Sequence, residues 1–163
     1  MRNRNYRGLG AAGAAVLLLL APATARAQSD GDPPNPLTTL KALECRFPAA
    51  TSASWDDTGT PAGRTREQNM RLEVFDIDLE DGTAEVRGTT GTVFVSAVLS
   101  GWSLYFVENA VGLLNVTTVF AQEASPGHLK AVHSRHGYLQ MQVGNFISEP
   151  SVSQNYGDCA PVE

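Results

Sequence analysis

The sequence predicts an exported all-β domain, an antiparallel small barrel or sandwich of about seven or eight strands closed by one disulfide. Three observations lead there. Behind an N-terminal export signal, short apolar runs alternate with turn residues at roughly ten-residue spacing. Helical segments that could link parallel strands are missing from the pattern. The two cysteines of the chain, Cys45 and Cys159, bracket the strand-rich region.

The export signal comes first. Arg2, Arg4 and Arg7 form a basic region, Leu9 to Leu20 is apolar, Pro22 breaks the run, and Ala25-Arg26-Ala27 offers small residues for cleavage before Gln28. The apolar stretch, about 17 residues long, sits at the lower limit for spanning a bilayer, so cleavage is the expectation rather than an uncleaved anchor. Residues 1–27 are therefore read as a signal peptide, and the expected location is periplasmic or extracellular. Residues 28–39, with Pro33, Pro34 and Pro36 among polar residues, read as a disordered leader. Residues 40–163 read as a single β domain.

Cleavage changes the charge. Residues 28–163 hold 8 Lys and Arg against 17 Asp and Glu, a net charge of −9. Nucleic acid and anionic membrane surfaces repel such a chain. No nucleic-acid partner and no stable membrane insertion are expected; a small molecule or a protein partner fits better. In an oxidising compartment Cys45 and Cys159 are expected to pair.

The strands follow in order. A short helix is expected around Leu37 to Leu43, and a loop from Ala49 to Gly63. From Arg71 to Glu80 the apolar alternation slips phase near Val74-Phe75, which predicts a bulge. Asp81-Gly82 predicts a type I′ hairpin. Thr83 to Arg87 returns with Ala84 and Val86 inward. Thr92 to Leu99, Trp102 to Glu108, Leu113 to Gln122, His128 to His136 and Tyr138 to Val143 complete a meander. Near the C-terminus, Gln154 and Tyr156 are expected to cap a barrel end, with Gly157 turning the chain into Cys159.

Two runs are apolar on both faces, Val93 to Leu99 and Leu104 to Val107. A half-buried strand alternates, so these predict a cover on both sides. A packed barrel wall, a sandwich centre or a homodimer interface would each supply it.

Little of the sequence carries recognisable chemistry. His128, His133 and His136 fall within nine residues, but alternation puts His133 and Arg135 on one face and the other two on the opposite face. That argues against a metal site, which needs three or four convergent ligands. Arg135 beside His133 could hold an anion, but in so acidic a chain a pair with a carboxylate at a strand end is the expectation. Ser134 lacks the nucleophile elbow of a hydrolase. Asp76 and Asp78 read as a solvent-facing acidic edge rather than a calcium site. Asn115-Val116-Thr117 matches a glycosylation sequon, but Asn115 and Thr117 on one face of an apolar strand point to core bonding or a cavity lining. No catalytic residue, cofactor or metal is assigned. The candidate ligand-binding residues are His133, Arg135, Tyr105, Asn115, Thr117 and Tyr156.

Thr117-Thr118-Val119-Phe120, Ser134-Arg135-His136 and Ser153 to Cys159, together with Cys45-Arg46-Phe47-Pro48, resemble segments of small secreted bacterial proteins of unknown function. That resemblance implies no activity, substrate or cofactor. In architecture the domain is similar to lipocalin-type barrels, without a G-x-W near the first strand. The leading functional expectation is a secreted, non-enzymatic binding module for a small apolar or mixed ligand, with Trp102, Tyr105 and Phe106 as aromatic contributors. The alternatives are an envelope structural or interaction protein, dimeric through strands 93–107, and a hydrolase or lyase using His133, Arg135 and Tyr156.

Overall fold

The computed structural model describes residues 33–56, 58–138, 142–143, 146–147 and 150–162. Among these residues the strands are β1 (Leu43–Trp55), β2 (Pro61–Asp78), β3 (Thr83–Gly88), β4 (Gly91–Ser100), β5 (Ser103–Ala110), β6 (Leu113–Ser125), β7 (His128–Gly137), β8 (Gln142–Val143), β9 (Phe146–Ile147) and β10 (Ser151–Pro161). Eight of them close an antiparallel barrel in the order β1-β10-β7-β6-β5-β4-β3-β2. β8 and β9 pair as a separate hairpin. The choice between barrel and sandwich thus resolves to a barrel.

Tight turns at Gly82, Gly101 and Gly127, all at positive φ, gather at one end. That end is plugged. Asn35 caps a 3-10 turn, Pro36–Thr39, by accepting from the Leu37 amide at 3.0 Å, and its own amide donates to the Gly101 carbonyl at 2.9 Å. The plug drives Leu37 and Leu40 into the barrel, where both are buried. The expected helix at Leu37 to Leu43 is therefore a single 3-10 turn. Order begins before the expected leader boundary, because burial of Leu37 offsets the entropy of fixing so short a segment.

The barrel is closed by its first and last strands. Cys45 and Cys159 face each other directly on the β1–β10 pair and are bonded, joining residues 114 apart in sequence. β10 was not foreseen as a strand. Its Ser, Gln, Asn and Gly residues lack apolar alternation, and pairing with β1 on one side and β7 on the other imposes the conformation. Gln154 and Tyr156 therefore sit within a strand, not on a cap. Nor does Gly157 serve a turn: a Cβ there would lie 1.8 Å from the Arg46 carbonyl oxygen. The close approach coincides with a bulge in β1 at Pro48, the residue with no N–H to give the ladder.

Other expectations need correction for the same reason. The loop from Ala49 to Gly63 is mostly strand, since β1 reaches Trp55 and β2 begins at Pro61. The phase slip in β2 is real and falls one residue later, at Asp76, whose φ of 51° lets Val74 and Ile77 both point inward. After β2 only Gly82 has positive φ, so the turn is not type I′. The Asp78 carboxylate organises it by accepting from the Glu80 and Asp81 amides at 2.8 and 3.0 Å. In the expected run Tyr138 to Val143, residues 139–141 lie outside the described residues, and Gln142–Val143 belongs to the β8–β9 hairpin.

The interior explains half of each two-faced strand. Val95, Ala97, Leu104 and Phe106 are buried inside. On the outside of β4, however, Phe94 is 81% and Val98 49% exposed.

Candidate functional site

The inner faces of the strands share a gradient. Along β7 the inward residues run Leu129, Ala131, His133, Arg135; along β6, from the same end, they run Ala121, Val119, Thr117, Asn115; along β5, Leu104, Phe106, Glu108. β10 reads Cys159, Gly157, Asn155, Ser153, and β2 reads Val74, Leu72, Met70, Gln68, Arg66, Arg64. On these strands the inner residues beside the plug are apolar and those beyond them are polar, until β5 and β6 end in Ala110 and Leu113; the inner face of β4, Leu99, Ala97, Val95, Val93, is apolar throughout. The gradient places the candidate site toward the end opposite the plug.

Strand register joins the polar residues into two tiers. In the deeper tier Thr117 stands opposite His133, His133 opposite Asn155, Asn155 opposite Ala50, and Ala50 opposite Arg66. Directly opposed residues project to the same face of a sheet. The outer tier repeats the order one step nearer the rim: Glu108, Asn115, Arg135, Ser153, Ser52, Arg64.

From Thr117 to Asn155 the deeper tier is joined by hydrogen bonds. Thr117 Oγ1 and His133 Nδ1 lie 2.9 Å apart. The Asn155 side-chain amide donates to the His133 carbonyl at 3.0 Å, and the Gln68 amide donates to the Asn155 carbonyl oxygen. Gln68 reaches Asn155 across β1, where Ala50 is small enough to let it pass. The His133 ring also lies 6.0 Å from that of Phe47, centroid to centroid. Burial lowers the His133 pKa to about 4, with Glu108 opposing the shift and Arg135 adding to it. The imidazole is therefore neutral at physiological pH, with one nitrogen a donor and the other an acceptor.

The outer tier is less complete. The Asn115 amide donates to Glu108 Oε2 at 2.6 Å, but its carbonyl oxygen is buried without a partner among the described residues. A buried acceptor left unpaired costs about 1–3 kcal/mol.

Of the residues singled out from sequence, the structure brings His133, Thr117, Asn115 and Arg135 together at this mouth. It sets two apart. Tyr105, opposite Thr118 and Val98, belongs to the outer face of β5. Tyr156 is exposed on the outer face of β10 and donates to Gln154 Oε1 at 2.6 Å. Sequence reading missed Gln68, Asn155, Glu108, Arg64 and Arg66, which become neighbours only once register is known. The one available signal was the polarity of Arg64 to Asn69 beside an apolar strand. Among the described residues, no group of three His, Cys, Asp or Glu is arranged to hold a metal ion, and no helix is long and apolar enough to cross a membrane.

No protein-family model, curated protein or solved structure matches the chain.

Proposed function

We propose that the chain is an exported binding module that receives a small ligand of mixed polarity at the open mouth of its barrel. The observation that supports this best is the shared gradient, which ends in a polar tier holding one unpaired buried acceptor, Asn115 Oδ1. A barrel selected only for stability gains nothing from burying His133, Thr117, Asn155 and Gln68 where aliphatic residues would pack without desolvated polar groups. Export fits the Cys45–Cys159 bond, which reducing compartments would open. Native mass spectrometry of the exported protein tests the reading. The expected result is the mass of residues 28–163 with the disulfide intact and a bound small molecule that Asn115→Leu releases. A bare polypeptide mass, together with no thermal shift from any of a broad metabolite set, would overturn it.

The outer face of β4 favours a second reading, an interaction protein that pairs through Phe94 and Val98. A hydrolase or lyase reading gains no support from the geometry, since Tyr156 stands on the opposite side of the sheet from His133 and Arg135.

A further inference from the structure

The distribution of charge at the mouth is opposite to that of the chain. Eight Lys and Arg follow residue 32, against 15 Asp and Glu. Three of those eight, Arg64, Arg66 and Arg135, project from the inner face of the open half, by register with Ser52, Ala50 and Ser153. Glu108 is the one carboxylate on that face among the described residues, and it is held by Asn115. Asp56, at the tip of the β1–β2 hairpin, is likewise occupied: it accepts from the Thr58 hydroxyl and from the Thr58 and Thr60 amides at 2.6–2.9 Å. None of the three arginines is in a salt bridge among the described residues.

Arginines on a strand have an ordinary explanation. β2 pairs with β3 only from Glu73 onward, so its first half has a free edge, and charge protects free edges from aggregation. That account serves Arg64 and Arg66. It does not serve Arg135, because β7 is paired on both sides, with β6 and β10. Arg64 and Arg66 come from β2 and Arg135 from β7, with β1 and β10 between them, so this inner face gathers positive charge that a bound anion would offset. A concavity of about 360 Å³ opens beside Arg64, lined also by Ser52, Ser54, Trp55, Ala62 and Asp56, whose carboxylate is taken up by Thr58 and Thr60. Further along β2, and on the adjacent β3 and β4, the inner residues Met70 and Val86 are only partly buried against the core, and Val93 is exposed.

Resting on the binding-module reading, we propose that the ligand is a small organic oxyanion, its acidic group held by Arg64, Arg66 and Arg135 and its apolar body lying toward Met70, Val86 and Val93. The planar fork of arginine suits carboxylate, sulfonate and phosphate alike. The neighbouring Asn115 oxygen would take a hydroxyl or amine hydrogen from the same molecule.

Calorimetric and fluorescence titrations of the full exported chain test this with three probes: 8-anilinonaphthalene-1-sulfonate, its uncharged relative N-phenyl-1-naphthylamine, and inorganic sulfate. One sulfonate probe is expected to bind per chain, at least roughly ten-fold tighter than either fragment probe. Arg64→Gln/Arg66→Gln, and separately Arg135→Gln, should each weaken it roughly ten-fold. Arg87→Gln, on the outer face, should leave it unchanged. Because these arginines lie outside the core, an intact disulfide and an unchanged far-ultraviolet spectrum will show that the variants fold. Equal binding of the uncharged relative, or loss of sulfonate binding in Phe94→Ser but not in the arginine variants, overturns the proposal. If the uncharged probe alone binds and Asn115→Leu abolishes it, the mouth is a ligand site without anion preference. If no probe binds at all, both readings fail.

Discussion

Thr117 Oγ1 and His133 Nδ1 meet at 2.9 Å inside the barrel, one from β6 and one from β7. The pair fixes a neutral imidazole in a site only 8% exposed, with a pKa near 4 against an ordinary value of 6.5. Below pH 6.5 the unfolded chain takes up a proton that the folded protein refuses. Stability from this residue is therefore complete above about pH 6.5 and is lost as the pH falls toward about 4, by an amount on the order of 2–3 kcal/mol. Asp78, held below its usual carboxylate pKa by the Asp81 and Glu80 amides, loses its contribution at lower pH still. Urea unfolding across this range should show a falling midpoint in the wild type and a flatter profile in His133→Gln. A wild-type midpoint that does not move between about pH 7 and about pH 4.5 would contradict the assignment.

Gly157→Ala is expected to be among the most damaging single-methyl changes in the chain. The added Cβ meets the Arg46 carbonyl oxygen at 1.8 Å, and the obstacle is backbone, not a side chain that can swing away. Relief requires moving the β1 bulge that sits beside the disulfide. We expect a loss of about 3 kcal/mol or more, beyond the usual cost of overpacking. Chemical denaturation measures it. Gly59→Ala, with open space around the Cβ but φ of 77°, is the control for conformational strain alone and should cost less.

What the sequence disclosed and what it withheld divide along one physical line. Local signals were legible: the glycine turns, the phase slip in β2, the inward Ala84 and Val86, and the split of His133 and Arg135 from His128 and His136. Cys45 and Cys159 could be paired because compartment and count left one partner each. Features set by register were hidden. β10 has strand geometry without strand composition, and Gln68 meets Asn155 across an intervening strand. The candidate site was half visible for the same reason. Thr117 and His133 announce themselves as polar groups in apolar strands, whereas Arg64 and Arg66 look like solvent-facing charges until Ser52 and Ala50 show which face they share.

Removing the disulfide should weaken the barrel at its seam. The bond closes a loop spanning 114 residues and holds the strands that complete the ring. The entropic model gives about 4–5 kcal/mol for a loop of that length. Cys45→Ala/Cys159→Ala should lower the guanidinium midpoint accordingly, and dithiothreitol should do the same to the wild type while leaving the variant unchanged. Equal midpoints with and without reductant would show that the β1–β10 ladder holds without the bond.

Adjacent residues on β4 should respond in opposite ways to one substitution. Val95 is buried in the core, so Val95→Lys places an uncompensated ammonium among apolar side chains and is expected to abolish folding. Phe94, on the other face, is 81% exposed, so Phe94→Lys should change stability by no more than about 0.5 kcal/mol. Its effect should appear in self-association. Phe94 and Val98 expose apolar surface on the outer face of β4, with Glu85 directly opposite Phe94 on β3, so a pairing of two copies there has to accommodate that carboxylate. Sedimentation velocity of the wild type against Phe94→Lys reads this directly. A wild-type dimer that becomes monomeric in the variant, with unfolding unchanged, assigns the outer face to self-association. Monomers in both leave Phe94 free for another partner, and a dimer in both moves the interface elsewhere on the barrel.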